Sequence, residues 1–464
     1  MTRALGILLA AALLVWPAVL NLYPLVFIDT VSYLRHTTLG EHPWDKTAAY
    51  GPFLYAFHWG STLWLPLAAQ GLLLSVLLWL VQRVVTGGVT PLRHLMLCAM
   101  LAALTTAPWF NATMMPDIFA ASGVLCLFLL GFGEARLSRA EMFFAGVLGA
   151  IAIAVHLSHL PTACGLVVLV ALLRRHWLPV LRVAAPVVAA VLFLLTANMI
   201  AFGRPTLSAH GSVFLLARLQ ADGPVVDTLR DRCPAASWYL CDFIDAMPME
   251  AGHFLWSPDS PPQRDRHGNP IAMGGARLAP EAREIIAATI RDRPFAVARA
   301  MALNTLRQLV TTELGDTLYN VDLQNSVEYG IRDQFGPREL SRFRAGQQMR
   351  GHLPALATPF ISILELALVP ALALVILWLG SAAHWRDGER LGLVLFVLAG
   401  ILGNAFATGG LSGVHDRYAA RIIWLLPLAA ALAWAPRAGQ RAQAPPRFGV
   451  GRNTPARRPG ILAT

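Results

Sequence analysis

The first carboxylate of the chain follows a long uncharged run. Asp29 is the first charged residue after Arg3, and the run 4–28 between them is long enough to cross a bilayer. We therefore expect the Asp29 carboxylate at a membrane surface, where it can take a proton from a hydroxyl group as a general base. The alternative interpretation is structural, a cap on a helix that begins in the following loop.

Three further polar side chains interrupt later apolar runs. Asp117 separates the runs 94–116 and 118–133, and it can position a ligand or cap the next helix. His156 and His159 are three residues apart, so on a helix they share a face that suits a metal ion or a phosphate. The competing interpretation of the histidines is a polar hairpin that meets water.

Two arginines and a tyrosine precede the last apolar run, 422–436. They are Arg417, Tyr418 and Arg421. A guanidinium can make two charge-assisted hydrogen bonds to one phosphate, so these arginines predict an anion site. Snorkelling of long cationic side chains at the end of a short helix is the alternative.

The composition is that of a membrane protein. Hydrophobic residues make up 56% of the chain, charged residues 14%, and the mean hydropathy is +0.54. A soluble globular domain carries about 25% charged residues. The formal net charge of +10 comes mainly from arginines between apolar runs and in the tail, where they act as topology signals. We therefore expect no nucleic-acid partner.

The apolar runs predict an all-α polytopic protein with about ten transmembrane helices. The run 142–173 is too long for one crossing and contains Pro161, so it predicts a hairpin of two short helices. The loop arginines place both termini in the cytoplasm. The predicted parts are a membrane module of about seven helices (1–203, with an external loop 24–60), a mainly helical external domain (204–352), a module of about three helices (353–436), and a basic, disordered cytoplasmic tail (437–464).

The five cysteines divide by environment. Cys98, Cys126 and Cys164 lie in apolar helices, where packing is their expected role. Cys233 and Cys241 lie in the external domain, and eight residues apart they suit a short disulfide loop in an oxidising compartment. A zinc pair is the competing interpretation, although no nearby Cys or His completes a four-ligand set.

Two segments carry a resemblance to a known superfamily. Phe27-Ile28-Asp29-Thr30-Val31-Ser32-Tyr33 and Tyr50-Gly51-Pro52-Phe53-Leu54-Tyr55 resemble the first external loop of the GT-C membrane glycosyltransferases, of the protein mannosyltransferase and aminoarabinose transferase type. The resemblance implies that Asp29 is catalytic and that Tyr33 and Tyr55 contact the donor or substrate. It also implies that Asp117 binds a divalent metal or positions the donor. The paired acids usual at that position are absent, so metal dependence is left open.

The late segment from Arg417 to Pro427 resembles the part of polyprenyl-phosphate-sugar transferases that holds a lipid phosphate. The function implied is transfer of a sugar from a polyprenyl-phosphate carrier to a lipid, glycan or protein acceptor at the external face of a bacterial inner membrane. Arg417, Tyr418, Arg421, His156 and His159 would then bind the donor, with membrane lipids as neighbours.

Two other classes of function stay open. A transporter or flippase would carry intramembrane charges in two corresponding halves, whereas Glu365 is nearly alone. A non-catalytic subunit of an envelope polysaccharide assembly system would keep the fold without the acids.

Overall fold

The computed structural model describes residues 1–233, 235–381 and 387–437, and its regular structure there is helical apart from two isolated β-bridges. The first half of the chain is a bundle of mainly apolar helices. Its helices are α1 (Arg3–Leu13), α2 (Trp16–Leu20), α3 (Thr30–Leu39), α4 (Tyr50–His58), α5 (Trp64–Thr86), α6 (Pro91–Leu104), α7 (Ala107–Asn111), α8 (Ile118–Phe132), α9 (Arg139–Ala154), α10 (His159–Arg174) and α11 (Trp177–Phe202).

The 204–352 domain has a hydrophobic core of its own between residues 213 and 297, which includes Leu216, Leu229, Phe254 and Ile285, whereas Val327, Ile331 and Phe343 belong to the main core of the apolar helices. Its helices are α12 (Ser212–Ala221), α13 (Pro224–Arg232), α14 (Ala251–Trp256), α15 (Gly274–Asp292), α16 (Pro294–Val310), α17 (Val327–Gln334) and α18 (Pro337–Ala345). The segment between α14 and α15 holds only a short 3-10 turn and one β-bridge.

The chain then returns to apolar helices. These are α19 (Leu353–Gly380), α20 (Gly388–Ala405), α21 (Asp416–Ile423) and α22 (Leu425–Trp434), with a π-helical turn, Phe406–Gly410, that extends α20. From residue 438 onward the predicted basic tail lies outside the described residues.

Four helices are long and apolar enough to cross a membrane. They are Trp64–Thr86, Trp177–Phe202, Leu353–Gly380 and Gly388–Gly410. The sequence predicted about ten crossings. The other apolar helices in the described ranges are shorter than the roughly 20 residues that a bilayer core requires, so length and composition alone support only four.

The first apolar run, 4–28, is not the single helix that its length suggested. It contains α1 and α2, and its last residues, 22–28, are not helical. Pro17 lies in the first turn of α2, where a missing N–H costs least, and Pro24 disfavours a helical conformation at Tyr23. The chain that leads to Asp29 is therefore extended rather than helical.

A backbone β-bridge sets the position of Asp29 and Asp117 along the helix bundle. Leu25 and Thr113 form a parallel β-bridge, in which Leu25 N donates to Ala112 O (3.0 Å) and Met114 N donates to Leu25 O (2.8 Å). Asp29 and Asp117 each follow their bridge residue by four positions. This equal offset brings two acids that are far apart in sequence to the same end of the bundle.

Candidate functional site

Both acids occupy helix N-cap positions, yet neither carboxylate caps its helix. Asp29 precedes α3 and Asp117 precedes α8, and neither side chain accepts a hydrogen bond from the helix that it precedes. The capping interpretations are therefore wrong for both residues. Both carboxylates instead contact arginines of α21.

Asp29 lies between two cations. Its carboxylate is 3.1 Å from Lys46 Nζ and 3.7 Å from Arg417 Nη2, and its side chain is 29% exposed. Burial raises the pKa of the Asp29 carboxyl, but the positive charges of Lys46 and Arg417 outweigh that effect and hold the pKa below its ordinary value of 3.8. Asp29 is therefore a partly accessible carboxylate at neutral pH.

Asp117 is fixed in a buried network. Arg421 donates to Asp117 Oδ1 (3.0 Å), to Ser158 Oγ (2.9 Å) and to Asn404 Oδ1 (3.0 Å), and its side chain is completely buried. A guanidinium that is enclosed and bonded in this way cannot reach a ligand without breaking the network. The prediction that Arg421 binds a phosphate directly is therefore not supported by its position.

Helix α21 joins the two halves of the site. Arg417 and Arg421 are four residues apart, so they lie one turn apart on the same face of the helix. The Tyr418 ring lies 5.3 Å from the Arg417 guanidinium and 4.9 Å from that of Arg421, and Arg417 also lies over the Phe27 ring at 4.1 Å. We call Asp29, Lys46, Asp117, Arg417 and Arg421 the acid–arginine cluster.

The histidines border the acid–arginine cluster without forming a matched pair. His156 Nδ1 lies 2.8 Å from Ser158 Oγ, the hydroxyl that also accepts from Arg421, and its ring lies 6.5 Å from the Tyr418 ring. Burial lowers the pKa of His156 well below 6.5, and the charges of Arg421 and Arg417 lower it further, so the imidazole is neutral.

His159 lies beside His156, with the centroids of the two rings 5.3 Å apart. Its Nδ1 lies 2.6 Å from Ala152 O, which can only accept, so Nδ1 carries the proton. In the described ranges, no three His, Cys, Asp or Glu side chains group as metal ligands. A metal at Asp117 would have to displace the Arg421 guanidinium, so these residues do not fit the metal site that the resemblance implied.

The two predicted tyrosines have different environments. Tyr33 is buried with its ring 5.0 Å from the Tyr50 ring, and burial, together with the charges of Asp29 and Asp117, raises its pKa well above 10.0. Its phenol is therefore a neutral group close to both acids. Tyr55 is largely exposed and its ring contacts His58, outside the acid–arginine cluster.

A narrow cleft lies beside Lys46, between the loop 42–48 and the end of α11. The wall from α11 is mainly apolar, with Leu194, Ala201 and Phe202 beside Asn198, and the loop contributes His42 and Lys46 to the lining. The cleft therefore adjoins both a helix long enough to cross a membrane and a cation that contacts Asp29.

The loop that carries Lys46 is anchored in the 204–352 domain by Trp44. The Trp44 ring stacks on Phe214 at 6.0 Å and lies 5.7 Å from Trp256. Gly275 lies directly under the indole, because a Cβ there would come within 2.5 Å of the ring. In the same domain, the structure joins Cys233 and Cys241 in a disulfide with a Cα–Cα distance of 5.4 Å.

Sequence reasoning missed Lys46, Ser158 and Asn404 as members of the site. Lys46 is the only lysine of the chain and lies in a loop predicted to be external and poor in positive charge, and this combination was a usable signal. Ser158 and Asn404 carry no comparable signal, because single polar residues at helix ends are common.

No family model matches the chain, and comparisons with curated proteins and with solved structures find no match. A function must therefore be inferred from the acid–arginine cluster and from the motifs around it.

Proposed function

We propose that the chain is a membrane glycosyltransferase that moves a sugar from a polyprenyl-phosphate carrier to an acceptor hydroxyl at the external membrane face. The observation that carries the proposal is Asp29, an accessible carboxylate held by Lys46 and Arg417 beside an amphipathic cleft. The apolar α11 wall suits a polyprenyl chain, and the Lys46 side suits its phosphate.

In the proposed reaction the acceptor oxygen attacks the anomeric carbon, and the bond from that carbon to the phosphate oxygen breaks. The phosphate leaves with the electron pair, and Asp29 takes the proton of the acceptor hydroxyl. Arg417 stabilises the charge on the departing phosphate. Its guanidinium lies 3.7 Å from Asp29, so the proposed base and the proposed phosphate-binding cation are adjacent.

The two acids therefore have different proposed roles. Asp29 is the base, because it is accessible, whereas Asp117 fixes Arg421 and through it the orientation of α21. His156 is neutral and lies next to Tyr418, so together they can offer hydrogen bonds and a ring face to a sugar.

The proposed topology has ten crossings in a bacterial inner membrane, made by the four long helices and six shorter ones: α1 extended by α2, then α6, α8, α9, α10 and α22. The 204–352 domain is then external and both termini are cytoplasmic. A membrane-impermeant maleimide should label Asp259→Cys in intact cells in a Cys164→Ala background. Thr90→Cys, on the opposite side, should react only after permeabilisation. Labelling of Asp259→Cys only after permeabilisation would overturn this topology.

Turnover is tested with the purified protein in nanodiscs. A series of polyprenyl-phosphate sugars is added together with a lipid extract of the producing cells as acceptor source, and released polyprenyl phosphate is measured by mass spectrometry. We expect release from at least one donor, and a large loss of release in Lys46→Ala. Arg35→Ala is the matched control, because Arg35 is a cation of the same loop that pairs with Glu41 outside the acid–arginine cluster. Donor binding without release by wild type would support a non-catalytic subunit instead.

A further inference from the structure

Helix α16 of the 204–352 domain buries mainly polar side chains, with Val297 among them, and exposes a stripe of apolar ones. Asn304, Thr305 and Gln308 are buried, while Phe295 is 89% exposed and Val310 is 79% exposed. In a water-soluble domain, the apolar stripe of a surface helix faces the core. The arrangement in α16 is the reverse.

The exposed side forms one continuous stripe. At about 100° per residue, Phe295, Leu303, Leu306 and Val310 fall within one arc of about 100°, and Arg299 falls among them. The buried polar residues occupy the opposite arc. The stripe thus carries Arg299 within it and Arg307 at its edge, and long cationic side chains beside an apolar face are typical of helices that lie in the interface of a membrane.

The buried polar residues have partners in the protein. Asn304 Nδ2 donates to Asp222 Oδ2 (2.6 Å), Gln308 Nε2 donates to His415 O (2.8 Å), and His415 N donates to Gln308 Oε1 (3.0 Å). These bonds fix which face of α16 points inward. The outward apolar face is therefore a stable feature of the fold.

The neighbours of α16 indicate what contacts its exposed apolar stripe. The helix lies against the π-helical end of α20, so closely that a Cβ on Gly409 would come within 2.6 Å of Asn304 O. Leu402 and Phe406, near that end of the same candidate membrane span, also expose apolar side chains. The α16 stripe therefore lies next to the end of a helix whose exposed apolar residues would face lipid.

We propose that the apolar stripe of α16 lies in the outer leaflet, with Arg299 and Arg307 at the level of anionic lipid headgroups. The 204–352 domain would then be held down on the membrane by α16 beside the site rather than projecting from it. This inference requires α20 to cross the membrane, but it requires no transfer chemistry.

The test uses nitroxide labels on the full chain in nanodiscs of phosphatidylcholine and phosphatidylglycerol in equal parts, in a Cys164→Ala background. Leu306→Cys and Val310→Cys report the stripe, Leu402→Cys is the membrane reference, and Asp227→Cys on α13 is the water reference in the same domain. We expect oxygen to relax the labels at 306 and 310 more than a water-soluble nickel chelate does, as at 402. The opposite order is expected at 227.

Three results would overturn the inference. If the labels at 306 and 310 relax like the label at 227, while the label at 402 behaves as a membrane-embedded one, the stripe faces water. Dipolar broadening at 306 that disappears on dilution with unlabelled protein would show that a second copy of the chain covers the stripe. A water-like signal at 402 would also overturn the inference, because it would show that α20 does not cross the membrane. The label at 402 therefore distinguishes this outcome from the other two.

Discussion

Asp117→Asn should destabilise the fold more than removal of the charge of Asp29, Lys46 or Arg417 does. The change keeps the shape of the side chain but leaves the Arg421 guanidinium buried without its counter-charge. The exposed fractions of the two side chains are 0% and 4%, so water cannot replace the lost partner. Removal of one member of a buried pair typically costs about 3–5 kcal/mol, whereas an exposed pair contributes about 0–1 kcal/mol.

The measurement is the midpoint of thermal unfolding in detergent, followed by tryptophan fluorescence, for which the chain offers 13 tryptophans. Asp227→Asn is the matched control, because Asp227 forms an exposed pair with Arg230. The double variant Asp117→Asn with Arg421→Gln should recover part of the loss, since it removes the unpaired charge. It should stay below wild type, because the bonds of Arg421 to Ser158 and Asn404 are lost. A midpoint for Asp117→Asn equal to that of Asp227→Asn would refute the reasoning.

Other predictions concern the accessible half of the site and its supports. Arg417→Lys should keep part of the donor affinity and Arg417→Ala very little, measured as polyprenyl-phosphate binding, because lysine carries the charge but cannot donate two parallel hydrogen bonds to one phosphate. Equal affinity in wild type and Arg417→Ala would favour snorkelling. Trp44→Ala should lower donor turnover with little change in the unfolding midpoint, since it frees the loop that carries Lys46 from Phe214 and Trp256; unchanged turnover would contradict this. Intact-mass measurement of native protein should show Cys233 and Cys241 oxidised, and two reactive thiols there would exclude the disulfide. Because the pKa of Asp29 is depressed in the folded protein, its ion pairs stabilise the fold above pH 3.8, and this stabilisation is lost as the pH falls through the lower pKa of the folded state. Asp29→Asn should therefore leave the pH dependence of stability above pH 3.8 unchanged. A change in that range would show that the pKa of Asp29 is not depressed.

Sequence patterning was sufficient to locate most helices. The proline-interrupted run 142–173 folds as α9 and α10, and the amphipathic stretch from Ser212 folds as α12. Helix α15 begins at Gly274 and continues through Pro280, a residue that usually starts or breaks a helix, because Leu278 and Ala279 pack into the core of the domain and hold the helix through the proline. Here tertiary packing overrides a local breaking signal.

Only part of the site could be predicted from the sequence. Asp29, Asp117 and Arg417 could be singled out, because charge is rare in this chain and each lies beside an apolar run. Which acid pairs with which arginine depends on the bridge between Leu25 and Thr113 and on the placement of α21, and both are long-range contacts. Periodicity within one helix carries no information about such contacts. The inverted polarity of α16 was hidden for the same reason, since its buried face is defined only by its neighbours.

The most direct test of the proposed mechanism is donor turnover by Asp29→Asn. The variant is reconstituted in nanodiscs with the donor that wild type uses, and released polyprenyl phosphate is measured beside wild type and Glu41→Gln. Glu41 is the control, because it is an acid of the same loop that pairs with Arg35 away from the acid–arginine cluster. We predict that Asp29→Asn releases no polyprenyl phosphate above background while its donor binding and unfolding midpoint stay near those of wild type, and that Glu41→Gln remains active. Release by Asp29→Asn at the wild-type rate would contradict the assignment of Asp29 as the base.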